Sequence, residues 1–307
     1  MGVALIQHSQ LVLFSLQRLS LTCNQAVDFA TLWKNQLHLC YMYLPKNCRV
    51  ITIGDGDLSF SRALLEHVPP NNLIATTYDS EDVLRDKYTR NALDDLISAG
   101  VMVKHSVDIK DIASVTRLPQ NFADIVIFNH PLVPSQHSDI SPQKERKKRA
   151  NLANRDLLYH FLKHSFAVLL NPEGQRLCYI TSKSVKPYSD WHIETSITLD
   201  RPYQFLGNQV FNLSLFKNYM VRKIDRDKYV KHGESKVYVY SDKNAHPINY
   251  YLTAFKFTED KCCPLCRMSP FTHAVDWNNH HNTRLHKTQQ QYHDLWAAHC
   301  NLNYQYL

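Results

Sequence analysis

From about Arg49 onward, short β-branched runs alternate with longer amphipathic stretches. "RVITI" predicts a strand, and "SFSRALLEH" a helix that stops before Pro69 and Pro70. "LIATTY" predicts a second strand. "EDVLRDKYTRNALDDLISAG" places Leu84, Tyr88, Leu93, Leu96 and Ile97 at helical spacing and predicts one helix capped at Gly100. "VMVKHSVD" and "ADIVIFN" predict the third and fourth strands. "NRDLLYHFLKHSFAVLL" predicts a long helix ended by the turn Asn171-Pro172-Glu173-Gly174, and "QRLCYIT" a fifth strand. Strands and helices in this alternation imply right-handed βαβ units and an α/β fold with a doubly wound, mostly parallel sheet. Beyond Lys183 the pattern weakens: "DWHIETSI" suits a further helix, and "KVYVYS" and "YYLTAFKF" suit strands.

Two interruptions divide the chain. Between the fourth strand and the long helix, "HPLVPSQHSDISPQKERKKRANLA" is polar and proline-bearing, and reads as a long connection of the functional or mobile kind. Near Lys261 the composition shifts to Cys, His, Asn and Gln, which marks a separate C-terminal module. The N-terminal "MGVALIQHSQLVLFSLQRLSLT" is apolar but interrupted by Gln, His, Ser and Arg. It lacks a basic leader and a small-residue cleavage site, so it reads as an extra helix rather than a signal peptide. The expected organisation is a helical extension over 1–44, an α/β domain over 45–258 and a small module over 259–307.

Composition sharpens this picture in three ways. The 307 residues carry a formal net charge of +7, which suggests a polyanionic partner without demanding one. Of the eight cysteines, Cys262, Cys263 and Cys266 cluster near histidines while the others are scattered. That suits a metal site in a reducing compartment better than a disulfide framework. No apolar run reaches the ~18 residues expected of a membrane span, so no membrane role is expected. A cytoplasmic location, or a nucleolar one in a eukaryote, is the expectation.

With only seven glycines in the chain, the pair Gly54 and Gly56 is informative. A glycine turn between a strand and a helix aims backbone N–H groups at a ligand. The third glycine of the dinucleotide pattern is missing, and Asp55 and Asp57 stand in the loop. Carboxylates beside a pyrophosphate would repel it, so a ligand with a cationic centre fits better, as in S-adenosylmethionine. Asp79, at the end of the second strand, is placed to accept ribose hydroxyls. Asp108, at the end of the third, is placed to accept from an adenine amine. Alternatively, each simply caps a helix or turn.

Together, "VITIGDGDLSFSRAL", "IATTYDSEDVLRDKY", "SVDIKD", "ADIVIFNHP" and "NRDLLYHFLKHSFAVLLNPEGQRLCYITSKSVKPYSDWHI" resemble the ribosomal RNA uridine N3-methyltransferases, from about Arg49 to about Lys223. The G-[DE]-G-[DN]-x-S-F loop, the T-x-Y-D-S element and the N-R-x-L-L helix start carry the resemblance. It implies a Rossmann-like methyltransferase domain that uses S-adenosylmethionine. Gly54, Asp55, Gly56, Asp57, Ser59 and Phe60 then form the cofactor loop, Asp79 holds the ribose, and Asn129, His130 and Pro131 lie on the substrate side. Two motifs depart from the family pattern. F-N-F-P-H becomes Phe128-Asn129-His130-Pro131-Leu132, and P-G-Y becomes Lys217-Asn218-Tyr219.

A uridine N3 must lose its proton before it attacks a methyl group, so an acceptor is expected, with His130 the first candidate and Asn129 orienting the base. The alternative for His130 is a loop histidine without a proton role. Reaching such a base in folded RNA requires unstacking it, with cationic side chains holding the backbone. Lys144, Arg146, Lys147, Lys148 and Arg149, expected in the long loop, are candidates for phosphate contact, although a solvated surface run would look the same. Tyr188 and Trp191 are candidate stacking residues or plain core aromatics.

In the tail, Cys263-x2-Cys266 is followed after thirteen residues by His280-x5-His286. Two thiolates and two imidazoles at this spacing suit a closed, structural zinc finger of C2H2 type. Cys262 is an alternative to Cys263, and His281 to His280. Phe271 and Trp277 would form the finger's small core, which would grip RNA or a ribosomal protein. The overall expectation is an RNA methyltransferase with S-adenosylmethionine and zinc. Its rival is an RNA- or ribosome-binding protein that keeps the fold without catalysis.

Overall fold

A computed structural model describes residues 42–134, 141–223, 226–230, 233–268 and 270–304. The expected N-terminal helix lies outside the described residues, apart from the last three residues of 1–44. Among the described residues seven strands form one sheet: β1 (Val50–Ile53), β2 (Leu73–Thr76), β3 (Met102–Lys104), β4 (Ile125–Asn129), β5 (Leu177–Lys183), β6 (Gln204–Val210) and β7 (Ser235–Ser241). Their spatial order is β3-β2-β1-β4-β5-β7-β6. The first five run parallel, and β7 pairs antiparallel with both β5 and β6. The fold is Rossmann-like, as the alternation of elements implies. Strand order reverses between β1 and β4, and ligands of such sheets bind beyond the carboxyl ends of the strands at that point.

Successive residues of a strand face opposite sides. Val50 therefore joins the apolar layer containing Leu58, Phe60 and Leu64, and Ile51 joins the one containing Phe161 and Leu162. The α-helices among the described residues are α1 (Ser59–Leu64), α2 (Glu81–Lys87), α3 (Leu93–Ser98), α4 (Ile112–Val115), α5 (Gln143–His164), α6 (Ala274–Asn282) and α7 (Arg284–Tyr304). Among the described residues no helix is long and apolar enough to cross a membrane.

Four local expectations are corrected. The stretch from Glu81 to Gly100 is two helices, because the backbone at Thr89, Arg90 and Ala92 is engaged elsewhere. Thr89 N donates to the Asp227 carboxylate, Arg222 donates to Arg90 O, and Ala92 N donates to Asp57 O. Tertiary bonds outcompete the helical ones there. The basic run is not in a loop: Lys144, Arg146, Lys147, Lys148 and Arg149 belong to the first turns of α5, which starts after Pro142. Lys, Arg, Gln and Ala are good helix formers, and Lys148 pairs with Glu145 one turn earlier at 3.0 Å.

"DWHIETSI" is not a helix but a short 3-10 turn, Tyr188–Trp191, ended by His192 in a left-handed conformation. Trp191 is core, only 1% exposed. "YYLTAFKF" is not a strand; Pro247–Tyr251 form a 3-10 turn capped by His246, followed by a single bridge from Thr253 to Asn208. β6 has no sequence signal, because "QFLGNQV" is polar and bulged between Phe205 and Gly207.

Candidate functional site

A cavity of about 1040 Å³ opens where the sheet order reverses. One wall holds Gly54, Asp55, Gly56, Asp57 and Phe60 from the loop and helix after β1, then Asp79 after β2 and Asp108 after β3. The far wall holds Asn129, His130 and Pro131 at and just after the end of β4, together with Lys183 at the end of β5 and Tyr188 beyond it. The residues singled out on the glycine loop and strand ends thus meet in one cavity, and the Cys/His set lies elsewhere. Ser59 alone among the loop candidates is not in the wall. Its hydroxyl donates to Asp57 at 2.6 Å while its backbone opens α1.

The glycines have steric reasons. Gly54 has φ of 59°, and a Cβ there would sit 3.1 Å from the Phe128 ring. A Cβ on Gly56 would come to 3.0 Å from the Tyr88 hydroxyl. The loop therefore has backbone facing the cavity where side chains would clash or strain.

The two loop carboxylates are engaged within the protein. Asp55 accepts from Ser61 N at 2.7 Å and Ser61 Oγ at 2.6 Å. Burial first, and the neighbouring Asp57 second, push its carboxyl up to about 7 despite those bonds. Asp57 accepts from Arg222 Nε at 2.5 Å, with both side chains under 10% exposed. The repulsion argument drawn from the sequence is weakened accordingly, since Asp57 is neutralised by a partner 165 residues away. Asp79 does not cap a helix: Ser80 does, accepting from Val83 N. The Asp79 carboxylate pairs with Lys87 Nζ at 2.7 Å at the cavity edge. Asp108 accepts from Lys110 N through one oxygen, which is the turn-capping alternative, and still lines the cavity.

Arg222 is an organiser that the sequence does not single out. Its guanidinium contacts Asp57, Asp227 and Arg90 O, and lies over the rings of Tyr88 and Tyr229 at 5.3 and 4.4 Å. The strap formed by Tyr219–Lys223 and Arg226–Val230 is thereby tied to the glycine loop through Asp57. Its entry uses Asn218 with φ of 64°, a left-handed conformation that Asn tolerates nearly as Gly does. Asn218 thus stands in a left-handed conformation where the family pattern has Gly, and Tyr219 packs 5.1 Å from Phe60 in the cavity wall.

On the far wall, Asn129 Oδ1 accepts from Thr181 Oγ1 at 2.5 Å, and its buried Nδ2 adjoins the Tyr219 phenol. His130 has φ of 49°, donates its backbone N–H to Thr181 O, and meets Phe211 edge-on. Asn154 of α5 fixes the following loop by accepting from Val133 N at 2.9 Å. The basic run is one turn or more beyond Ala153, the nearest cavity-lining residue of α5. Lys144, Arg146, Lys147 and Arg149 are exposed there, and Lys148 is half-buried.

The Cys/His centre is assembled from Cys263, Cys266, His280 and His286, whose ligand atoms all lie within 4.8 Å of one another. His286 Nδ1 is 3.4 Å from Cys263 Sγ, 3.8 Å from Cys266 Sγ and 3.2 Å from His280 Nε2. A tetrahedron with Zn–N of about 2.0–2.1 Å and Zn–S of about 2.3 Å has edges of roughly 3.3–3.8 Å. The donor set and its spacing fit zinc. His281 is not in the set; its Nδ1 meets Trp277 O at 2.8 Å. Cys262 is buried outside it. Phe271 and Trp277 pack at 5.4 Å beside His280, as a small core would.

A family model described as BMT5-like, rRNA (uridine-N3-)-methyltransferase, matches residues 51–223. No curated protein matches. Similar solved structures include a 30S ribosomal A1408 methyltransferase from an uncultured bacterium, at 13% identity and TM-score 0.34, covering 71% of this chain and 95% of that one. Another is the 16S rRNA (adenine(1408)-N(1))-methyltransferase from Catenulisporales acidiphilia, at 13% identity and TM-score 0.33, covering 73% and 96%. A precorrin-6y C5,15-methyltransferase from Geobacter metallireducens has 12% identity and TM-score 0.36, covering 72% and 91%. The family match spans more than half of the chain and contains both walls of the cavity up to the strap: this protein belongs to the BMT5-like family of RNA methyltransferases.

Proposed function

We propose that this chain methylates N3 of a uridine in ribosomal RNA, using S-adenosylmethionine as methyl donor. The observation that carries the reading is the coincidence of the family match with the cavity: the matched residues 51–223 supply nearly the whole of its lining. The glycine cradle, where a Cβ would meet Phe128 or Tyr88, fits a cofactor that lies close against backbone. Asp79 and Asp108 offer acceptors to hydroxyl and amine groups at the next two strand ends. S-adenosylmethionine would supply the electrophilic methyl group.

The chain's own part is positioning and proton handling. Asn129, its side-chain amide fixed by Thr181 and Tyr219, stands beside the base edge, and Pro131 and Tyr188 bound the space around it. His130 is the acceptor for the N3 proton. The exposed cations at the start of α5 hold RNA phosphates leading toward the mouth, and free ribosomal RNA or pre-ribosomal particles are the partners. Cys263, Cys266, His280 and His286 hold a structural zinc, with all four positions filled by protein and none open to chemistry.

The test has two arms. Calorimetric titration with S-adenosylmethionine is expected to show binding, and nucleoside mass spectrometry of ribosomal RNA from cells lacking the protein is expected to show loss of 3-methyluridine. Unchanged nucleosides in the presence of cofactor binding would refute the substrate. No binding at millimolar cofactor would favour the non-catalytic RNA-binding reading, which the His130 departure supports. His130→Phe restores the family's residue; full activity in that variant would remove the proton role of His130.

A further inference from the structure

The segment Tyr188–Ser196 is gripped from two sides. From the α/β domain, Asn151 Nδ2 and Arg155 Nη2 of α5 both donate to Asp190 O, at 2.8 and 2.9 Å. Arg155 is fully buried, and the carbonyl oxygens of Asp190 and Tyr292 accept from its guanidinium. From the C-terminal residues, Arg267 donates to Ser189 O at 2.8 Å and pairs with Glu194 at 3.0 Å. Gln289 of α7 donates to Asp190 Oδ1 and meets His192 Nε2, both at 2.8 Å. Trp296, fully buried, donates to Ser196 O at 2.7 Å.

Arg267 directly follows Cys266, and Gln289 lies three residues after His286. The residues that reach the segment are therefore continuous with the Cys/His centre. At the other end of the segment, Tyr188 stands in the far wall of the cavity and packs edge-on to Trp191 at 5.1 Å. Residues Cys40–Leu307 form one compact unit, so the tail is part of the body that holds the cavity.

Building on the zinc and the RNA substrate proposed above, we infer that the Cys/His module is a brace for the substrate wall: by gripping Ser189–Ser196 through Arg267, Gln289 and Trp296, it positions Tyr188 at the cavity. Its contribution to the reaction is indirect, and Arg267 and Gln289 are positioning residues. The segment's own bonds are short-range ones, such as Asp190 N to Pro187 O and Ser196 N to His192 O, so its position against the cavity depends on the neighbours that grip it. Loss of the metal would loosen Arg267 and the start of α7, then Tyr188, while the glycine loop, held by Arg222 and Ser61, would be untouched. The module thus has a role other than gripping RNA itself.

The experiment uses the full chain and the double variant Arg267→Ala/Gln289→Leu, which leaves all four metal ligands in place. Zinc content and cofactor affinity are expected to stay at wild-type values. Hydrogen exchange is expected to rise at 188–196 and not at β1–β4, and kcat/KM for RNA to fall roughly 10- to 100-fold, mainly through KM. Tyr188→Ala is expected to reproduce the loss, and adding it to the double variant to deepen it little. Charge reversal, Glu194→Arg with Arg267→Glu, is expected to recover part of the RNA affinity that Arg267→Glu alone removes. Unchanged exchange at 188–196 with unchanged KM would overturn the brace, and full additivity with Tyr188→Ala would overturn its route through Tyr188. Absence of zinc or of methyl transfer in the unmodified chain would be seen first, and would fault the underlying reading instead.

Discussion

The glycine loop and the Cys/His centre are both tight polar constellations, yet they are built at opposite chain distances. The four residues of the centre fall within 24 positions, while the loop's decisive ion pair joins Asp57 to Arg222 across 165. A short-range constellation leaves its geometry in the spacing of its residues, so Cys-x2-Cys and His-x5-His can be read directly. A long-range one leaves only half of itself at each place. In the sequence Asp57 looks like a charge offered to a ligand, because the cation that neutralises it is far along the chain.

Metal removal is the largest way to break the comparison. Structural zinc sites of this donor type bind with apparent free energies of about 10–16 kcal/mol, and much of that is folding free energy. Cys266→Ser, or treatment with a strong chelator, is expected to release about one zinc per chain, measured by metal analysis. Proteolysis should then open residues 259–283, with cofactor binding retained. In the absence of metal, burial and the neighbouring Cys263 push the Cys266 thiol up to about 12, so a cation is what would keep it a thiolate at neutral pH. A chain purified without metal and equally resistant to proteolysis would show that the centre is held by packing alone.

Breaking the long-range pair should cost less and act on the other wall. Arg222→Ala leaves the Asp57 carboxylate buried without its partner, at a cost of about 3–5 kcal/mol, nearer the lower end because Asp227 of the same cluster is partly exposed. Urea denaturation measures the loss, and weaker binding of S-adenosylmethionine should accompany it. Asp57→Asn/Arg222→Met, with neither charge present, is expected to be more stable than Arg222→Ala alone. If the two are equal, the strap is fixed by its aromatic contacts rather than by the charge pair.

The same contrast explains what is legible in the sequence. Four of the five parallel strands can be read because each is a largely apolar, buried run, while β3, exposed at Met102 and Lys104, is read from its place in the alternation, and the cavity's position follows from their order. β6 cannot, since it is polar and its place depends on β7. The continuous helix expected over 81–100 fails at Thr89–Ala92, where Asp227, Arg222 and Asp57 take the backbone groups. The basic run reads as loop because the prolines before it outweigh its helix propensity. Arg222 has no sequence signal beyond its charge. Its role becomes visible only with Asp57, Tyr88 and Tyr229 around it.

A smaller perturbation probes the backbone of the loop rather than its charges. Gly54→Ala forces a Cβ into a left-handed conformation, which costs about 1–2 kcal/mol, and brings it against Phe128. Thermal unfolding should register that loss. Cofactor affinity should fall by more than the stability change alone implies, because Phe128 precedes Asn129 in the opposite wall. An equal effect on affinity and stability would mean that the loop tolerates the shift.

The finest test concerns a proton. Asp55 is held neutral up to about pH 7 by burial and by the charge of Asp57, against an ordinary value of 3.8. Between roughly pH 4 and 7 the folded chain therefore retains a proton at this site that the unfolded chain has lost. Stability from this group is full below the lower value and declines as pH rises through the upper one. Asp55→Asn removes the titration while leaving an oxygen that can still accept from Ser61. Urea midpoints measured from pH 5 to 8 are expected to fall less steeply with pH in that variant than in the parent. The Cys/His centre should run the other way, since protons compete with metal for its ligands and its hold weakens as pH falls. Opposite slopes in the two regions of one chain would separate a site stabilised by a retained proton from one stabilised by a displaced proton, and parallel slopes would mean that Asp55 is charged in the folded state.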